Sequence, residues 1–311
     1  MAVLFFVSTT ASLLSQQSSF PKLIGPYLGQ KPPGMTPEVF AKGIVTTDVN
    51  NHSPAAFSPD GNELFWSCAG EHLYILHMRL ENGQWTKPQR PRFSEDLECS
   101  SPMFSVDGQK LFFTSQAVES GRTRISLWYV EKTNEGWSSR KRVESISRFG
   151  EIGYQVSFTR SHTIYFRSKH ISGFGEGDIY RARLTNGEYG QPENLGATIN
   201  SKHTEASPFV APDESFLLFR RGVREEQSVK MNFYVSFHRQ DDSWSEPICI
   251  SEQLDSISEG FWIGLSPDQK YIFFAKLNRN NPDLSKRGPA ALYWVDARII
   301  DQVRPRMLDR K

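Results

Sequence analysis

An apolar strand, a tight turn and a second apolar strand recur five times along the chain, as AAFSPDGNELFWS, PMFSVDGQKLFFTS, QVSFTRSHTIYFRS, PFVAPDESFLLFRR and IGLSPDQKYIFFAK. The turn positions Asp60, Asp107, Ser161, Asp213 and Asp268 stand 47, 54, 52 and 55 residues apart. A period of that size marks one supersecondary unit that cannot bury its apolar faces alone and must stack on copies of itself. Each hairpin is followed by a third strand carrying an aromatic, in HLYILHM, LWYVEK, DIYRARL, NFYVSFH and ALYWVDA. A polar turn and a fourth strand follow, opened by an aromatic in ENGQWTKP, NEGWSS, NGEYGQP and DDSWSEP. Four short antiparallel strands per unit make one blade, so the chain reads as an all-β, five-bladed β-propeller.

The turns have a chemistry of their own. Pro59, Pro212 and Pro267 preset φ, the aspartates bond their own backbone, and Gly61 or Gly108 accepts positive φ. His162, Glu214 and Gln269 replace that glycine in the other copies. A left-handed conformation there would cost on the order of 1 kcal/mol, so those three turns are expected to be rebuilt. The turn aspartates read as structural rather than catalytic.

The fifth copy ends at ALYWVDARII with only three strands, while MTPEVFAKGIVTTDVNNHSP, ahead of the first copy, matches QPENLGATINSKHTEASP between copies three and four. Residues Val39 to Ile44 should therefore supply the outer strand of the last blade, which closes the ring and removes its loose edges. On this reading residues 36–300 form one propeller domain, 21–35 an N-terminal extension and 301–311 a C-terminal tail. Residues 1–20 begin with an apolar run and pass into small polar residues, as an export signal does, but the first positive side chain is Lys22. A periplasmic or secreted protein follows if they are a signal, and a cytoplasmic one if they are a disordered tail.

The 311 residues carry 36 basic and 35 acidic side chains, which leaves no overall field to steer the molecule to nucleic acid. No run approaches the roughly 18 apolar residues needed to span a bilayer. Cys68, Cys99 and Cys249 form no C-x-x-C pair, and the seven histidines are scattered singly. Neither a metal site nor a cofactor is read from them. No H-E-x-x-H, G-x-S-x-G or phosphate-loop pattern occurs. A monomer is expected.

The S-P-D-G turn with its L-F-F strand, and G-E-G-D-I-Y from Gly175 to Tyr180, resemble the WD-like repeats of TolB-type bacterial propellers over roughly residues 36 to 300. The resemblance implies the fold. It leaves function open, because such propellers serve as binding platforms, peptidase lids and hydrolase scaffolds. TolB itself has six blades and a separate α/β domain, so its partners are not carried over.

In an up-and-down blade, the start of the inner strand and the end of the second strand share one face of the disc. His52, Glu98, Glu151, Glu205 and Glu259 precede the inner strands and should ring one channel mouth. Arg167, Arg220, Arg221 and Lys276 end second strands on the same side. These nine residues are the predicted ligand site: arginines would fork onto a carboxylate or sulfate and glutamates would take hydroxyls, with Tyr154, Phe261, Trp262 and Trp66 as possible stacking faces. The competing reading is that each glutamate pairs with an arginine of the neighbouring blade and so braces the ring. His170, Arg224 and Lys286 lie on the loops of the same face. The preferred reading is a non-catalytic propeller binding a polar small molecule, a glycan or a protein partner. One alternative is a glycoside hydrolase or lyase using Glu98, Glu151, Glu205 and Glu259; another is a pure protein-interaction scaffold.

Overall fold

The computed structural model describes residues 20–119, 122–169, 171–225, 228–251, 260–278 and 288–304. Five antiparallel sheets form a five-bladed β-propeller, as the repeat requires. From the axis outward, blade 1 runs Ala56–Phe57, Glu63–Ala69, Leu73–Glu81 and Gln84–Trp85, and blade 2 runs Cys99–Phe104, Lys110–Glu119, Arg122–Thr133 and Gly136–Trp137. Blade 3 comprises Ile152–Phe158, Ile164–Ser168, Asp178–Ala182 and Glu193–Asn194. Blade 4 comprises Thr204–Val210, Phe216–Glu225, Ser228–Phe237 and Ile248–Cys249. Blade 5 comprises Gly260–Leu265, Tyr271–Asn278 and Gly288–Asp296, and its outer strand is Glu38–Val39.

That last strand closes the ring. Glu38 lies opposite Trp294 and Val39 opposite Tyr293, and the Phe40 amide continues the ladder by donating to the Leu292 carbonyl at 2.8 Å. The strand is shorter than the predicted Val39 to Ile44. The chain turns at Ala41, whose φ is +46°, and the amides of Ile44, Val45 and Thr46 all fold back onto the Ala41 carbonyl. Thr46 then bonds Leu292 through its hydroxyl in both directions, at 3.3 and 3.1 Å.

The paired aromatics of the second strands explain how a thin blade serves two neighbours. Successive side chains on a strand point to opposite faces. Phe112 therefore packs towards blade 3 while Phe113 packs towards blade 1. Phe274 likewise faces blade 4, and Phe273 faces blade 1. The core is accordingly divided into five apolar clusters, one at each blade interface.

On the hairpin face, polar clips join adjacent blades. Glu63 of blade 1 accepts from Lys132 at 2.9 Å and from the Trp137 indole at 3.1 Å, both of blade 2, and lies 3.1 Å from His77 of its own blade. Arg181 of blade 3 grips Asp242 of blade 4 with both terminal nitrogens, at 3.0 and 2.6 Å. The three hairpins expected to be rebuilt are not: His162, Glu214 and Gln269 hold φ of +60°, +59° and +57°. Local bonds compensate for the strain, as when the Gln269 amide donates to the Ser266 carbonyl and Ser266 donates to Asp268.

Candidate functional site at the channel mouth

The inner strands are irregular at one repeated place. Their pairing slips between Ser100 and Met103, Ile152 and Val156, Ala206 and Phe209, and Phe261 and Ile263. Ser101, Ser207 and Trp262 occupy the equivalent position six residues ahead of the turn, with φ of +53°, +51° and +58°. A bulge of this kind re-aims a side chain without ending the strand. Gln155 holds that position in blade 3. Its side chain crosses to blade 5, where Nε2 donates to the Ile263 carbonyl at 2.5 Å and Oε1 accepts from the Ile263 amide at 3.3 Å. Blades 3 and 5 are not neighbours, so this buried amide bars the axis.

On the hairpin side of the bar lies an apolar space of about 140 Å³ between Pro54, Met103, Phe158, Phe209 and Leu265. On the other side lies a polar cavity of about 560 Å³, bordered by Gln116, Glu151, Tyr154, Arg167, Lys169, Arg220 and Trp262. The second is the mouth anticipated from the repeat.

The ring of predicted residues divides by role. Glu205 is fully buried: it accepts from Arg221 Nε at 2.9 Å and from the Ser201 hydroxyl and amide at 2.7 and 3.0 Å. Arg221 also donates to the Ile199 carbonyl at 2.9 Å and lies over the Phe219 and Tyr234 rings. This pair braces blade 4 from within and does not reach across to a neighbouring blade, as the competing reading required. Lys276 pairs through its backbone with Gly260 and Ala291 and is not among the residues bordering the cavity. Trp66 is fully buried in the interface of blades 5 and 1, so it offers no stacking surface. Glu259, His170 and Lys286 lie outside the described residues, and Arg224 lies within the strand Phe216–Glu225.

Glu151, Arg167, Arg220, Tyr154 and Trp262 border the cavity, while His52 packs against Tyr154 and Trp262 and Glu98 reaches the wall through Gln116. Tyr154 donates to Gln116 at 2.9 Å, Gln116 donates to Glu98 at 2.6 Å, and His72 Nδ1 lies 2.6 Å from the other Glu98 oxygen. The Gln116 hydrogen bond, with a smaller contribution from His72, holds the Glu98 carboxyl below its usual range. Burial, reinforced by the charges of Glu151 and Glu98, pushes the Tyr154 phenol up. His52 sits with its ring 5.4 Å from that of Tyr154 and 4.9 Å from that of Trp262. Burial lowers its pKa to about 4, so it is a neutral imidazole at physiological pH.

Gln155, Gln116 and Lys169 were missed from sequence. Gln155 had a signal: it is the one amide at a ring position held elsewhere by proline, serine or tryptophan. Gly177 is a further missed residue, since a Cβ there would stand 2.4 Å from Arg167 Nε. Among the described residues no group of three or more His, Cys, Asp or Glu is placed to hold a metal, and no helix is long and apolar enough to cross a membrane.

No family model and no curated protein matches the chain. Solved structures do. The catalytic domain of a GH62 α-L-arabinofuranosidase from Coprinopsis cinerea aligns with a TM-score of 0.52 at 11% identity, over 85% of this chain and 97% of that one. An endo-arabinase from Bacteroides thetaiotaomicron aligns at 0.49 and 11%, over 80% and 95%. Hydrazine synthase from Kuenenia stuttgartiensis aligns at 0.43 and 11%, over 71% of this chain and 61% of that one, so the chain spans about three fifths of that protein. At such identities the likeness is one of fold. The expectation of a non-catalytic propeller is nevertheless corrected: the neighbour with the 0.52 score is by name an entire catalytic domain, and the hydrolase alternative is the one carried forward.

Proposed function

We propose that the protein is a glycoside hydrolase whose reaction takes place in the polar channel mouth. The observation that carries this reading is that Glu151 borders the aromatic-walled cavity while Glu98, from the adjacent blade, is held against the same wall through Gln116, and the Tyr154 phenol feels both charges. Glycoside cleavage needs two such groups. One protonates the departing glycosidic oxygen; the other takes a proton from the attacking water or attacks the anomeric carbon itself, and water supplies the replacement C–O bond.

Glu98, kept ionised by Gln116 and His72, suits the second role. The proton-donor role falls to Glu151, because Glu205 is consumed by Arg221 and Ser201. Tyr154 and Trp262 offer their faces to a sugar ring, and Gln155 forms the floor that stops a chain from threading through the disc. The arabinofuranosidase likeness supports the reading at the level of fold. The same reading takes the repeats to be of the TolB-like type and the protein to be exported to where glycans are met; sequencing the mature N-terminus tests the second point.

The experiment is a screen of oligosaccharides for released reducing ends. On a cleaved substrate, Glu151→Gln and Glu98→Gln should each lower kcat by 10²-fold or more while Kd for the uncleaved substrate changes little. Turnover preserved in both variants would remove the proposal.

A further inference from the structure

The cavity walls are cationic where they are least satisfied. Arg167, Lys169 and Arg220 face one carboxylate, Glu151, around the same space. The Arg220 side chain makes no hydrogen bond or ion pair with any described residue, its Nε is buried without a partner, and burial pulls its pKa down to about 10. Arg167 donates one terminal nitrogen to the Glu176 carbonyl at 3.3 Å, and its buried Nε has no partner either. The Trp262 indole N–H, turned inward at the strained bulge, is a third unpartnered donor.

Elsewhere the protein pairs the arginines it buries. Arg221, the next residue along, meets Glu205 and two backbone carbonyls, and Arg181 meets Glu193 and Asp242. A guanidinium and an indole are donors only. Leaving such donors desolvated is costly unless acceptor oxygens arrive, and a negatively charged group with two or three oxygens answers the geometry of a guanidinium fork. Space has been kept for it as well: Gly177 and Gly153 have no side chain where Arg167 lies, a Cβ at Gly153 coming 3.2 Å from the Arg167 Cβ.

We infer that the site recognises an acidic saccharide, one bearing a carboxylate or a sulfate, and that Arg220 and Arg167 receive that group beside the Trp262 indole. The inference rests on the hydrolase reading only in taking the bound molecule to be a sugar. Glu98 and Glu151 would then act on the glycosidic bond next to the anchored acidic unit, so that the charge fixes which linkage is presented to them.

The test uses the full chain and three probes in isothermal titration: oligogalacturonate for the carboxylate, a sulfated galactan oligosaccharide for the sulfate, and a neutral arabinan oligosaccharide. One acidic probe should bind, weaken as salt is raised, and lose at least tenfold in affinity in Arg220→Met and Arg167→Met. Arg220→Lys should recover only part, because a point charge lacks the fork. The neutral probe should bind at least tenfold more weakly than the acidic one. Which acid binds identifies the group. Neutral arabinan binding as tightly as either acid, no acidic probe binding, or acid binding unchanged in Arg220→Met with a native melting profile would each overturn the inference. Acid binding without cleavage of any glycan removes the hydrolase reading and leaves this one standing; cleavage of a neutral glycan that ignores Arg220 does the reverse.

Discussion

Replacing Arg220 with methionine measures what an unpaired buried charge costs the empty protein. Burial alone draws its pKa from the ordinary arginine range to about 10. At about 1.4 kcal/mol for each tenfold change, that is a penalty of roughly 3 kcal/mol against the charged form that no partner repays. The true figure is smaller, because the terminal nitrogens border a cavity that water can enter. Methionine keeps most of the buried stem and removes the charge, so a net gain of about 1–2 kcal/mol is expected. For a domain of this size that is a rise in melting temperature of roughly 2–4 °C, readable by differential scanning calorimetry at neutral pH in low salt. An acidic saccharide should then stabilise the wild type more than Arg220→Met at the same concentration, because a ligand raises stability only as far as it binds. A melting temperature that falls in Arg220→Met would mean that the guanidinium already has a counter-ion in the free protein, and the reasoning would be wrong.

Three further outcomes follow from the same geometry. Burial would raise the Glu63 carboxyl, but the hydrogen bonds from His77 and Lys132 outweigh it and hold it at about 2, against an ordinary value near 4.5. Its stabilisation, about 2–3 kcal/mol, is therefore complete above pH 4.5 and disappears as pH falls towards 2; in acid titrations monitored by circular dichroism, Glu63→Gln should be less stable than the wild type at pH 7 and nearly equal to it at pH 2. Gly177→Ala should displace the Arg167 head and weaken acid binding about tenfold, with a melting temperature within a few degrees of wild type, because the clash is with the end of a flexible side chain. Since His52 stays neutral down to about pH 4, acid affinity should be flat between pH 8 and 5; a tightening with a midpoint near 6.5 would show that the imidazole is less buried than the structure has it.

Strand count, blade period and the origin of the closing strand were all legible in the chain, because each follows from side-chain alternation and turn chemistry that act within a few residues. The L-F-F strands even carried the information that each blade serves two interfaces. Outcomes that depend on a distant competitor were not legible. His162, Glu214 and Gln269 keep left-handed turns because the surrounding hairpin bonds outweigh a local preference of about 1 kcal/mol. The Val39 strand stops early because the chain turns at Ala41 and the Leu292 amide goes to the Thr46 hydroxyl instead of to a ladder carbonyl.

What the sequence determined by itself was a ring of five four-stranded blades with acids and bases crowded at one mouth: repetition copies a residue's place on the disc from blade to blade. Only the tertiary structure decided which of those charges are spent on architecture. Glu205 and Arg221 are matched to each other, while the side chain of Arg220, one residue away and on the opposite side of its strand, meets no partner among the described residues. The axis was likewise closed by one long amide reaching a blade that is not its neighbour. Period places a side chain, but its partner is chosen by the distance and direction of groups on other blades, and a charge is neutralised or left for a ligand according to what lies within about 3 Å of it.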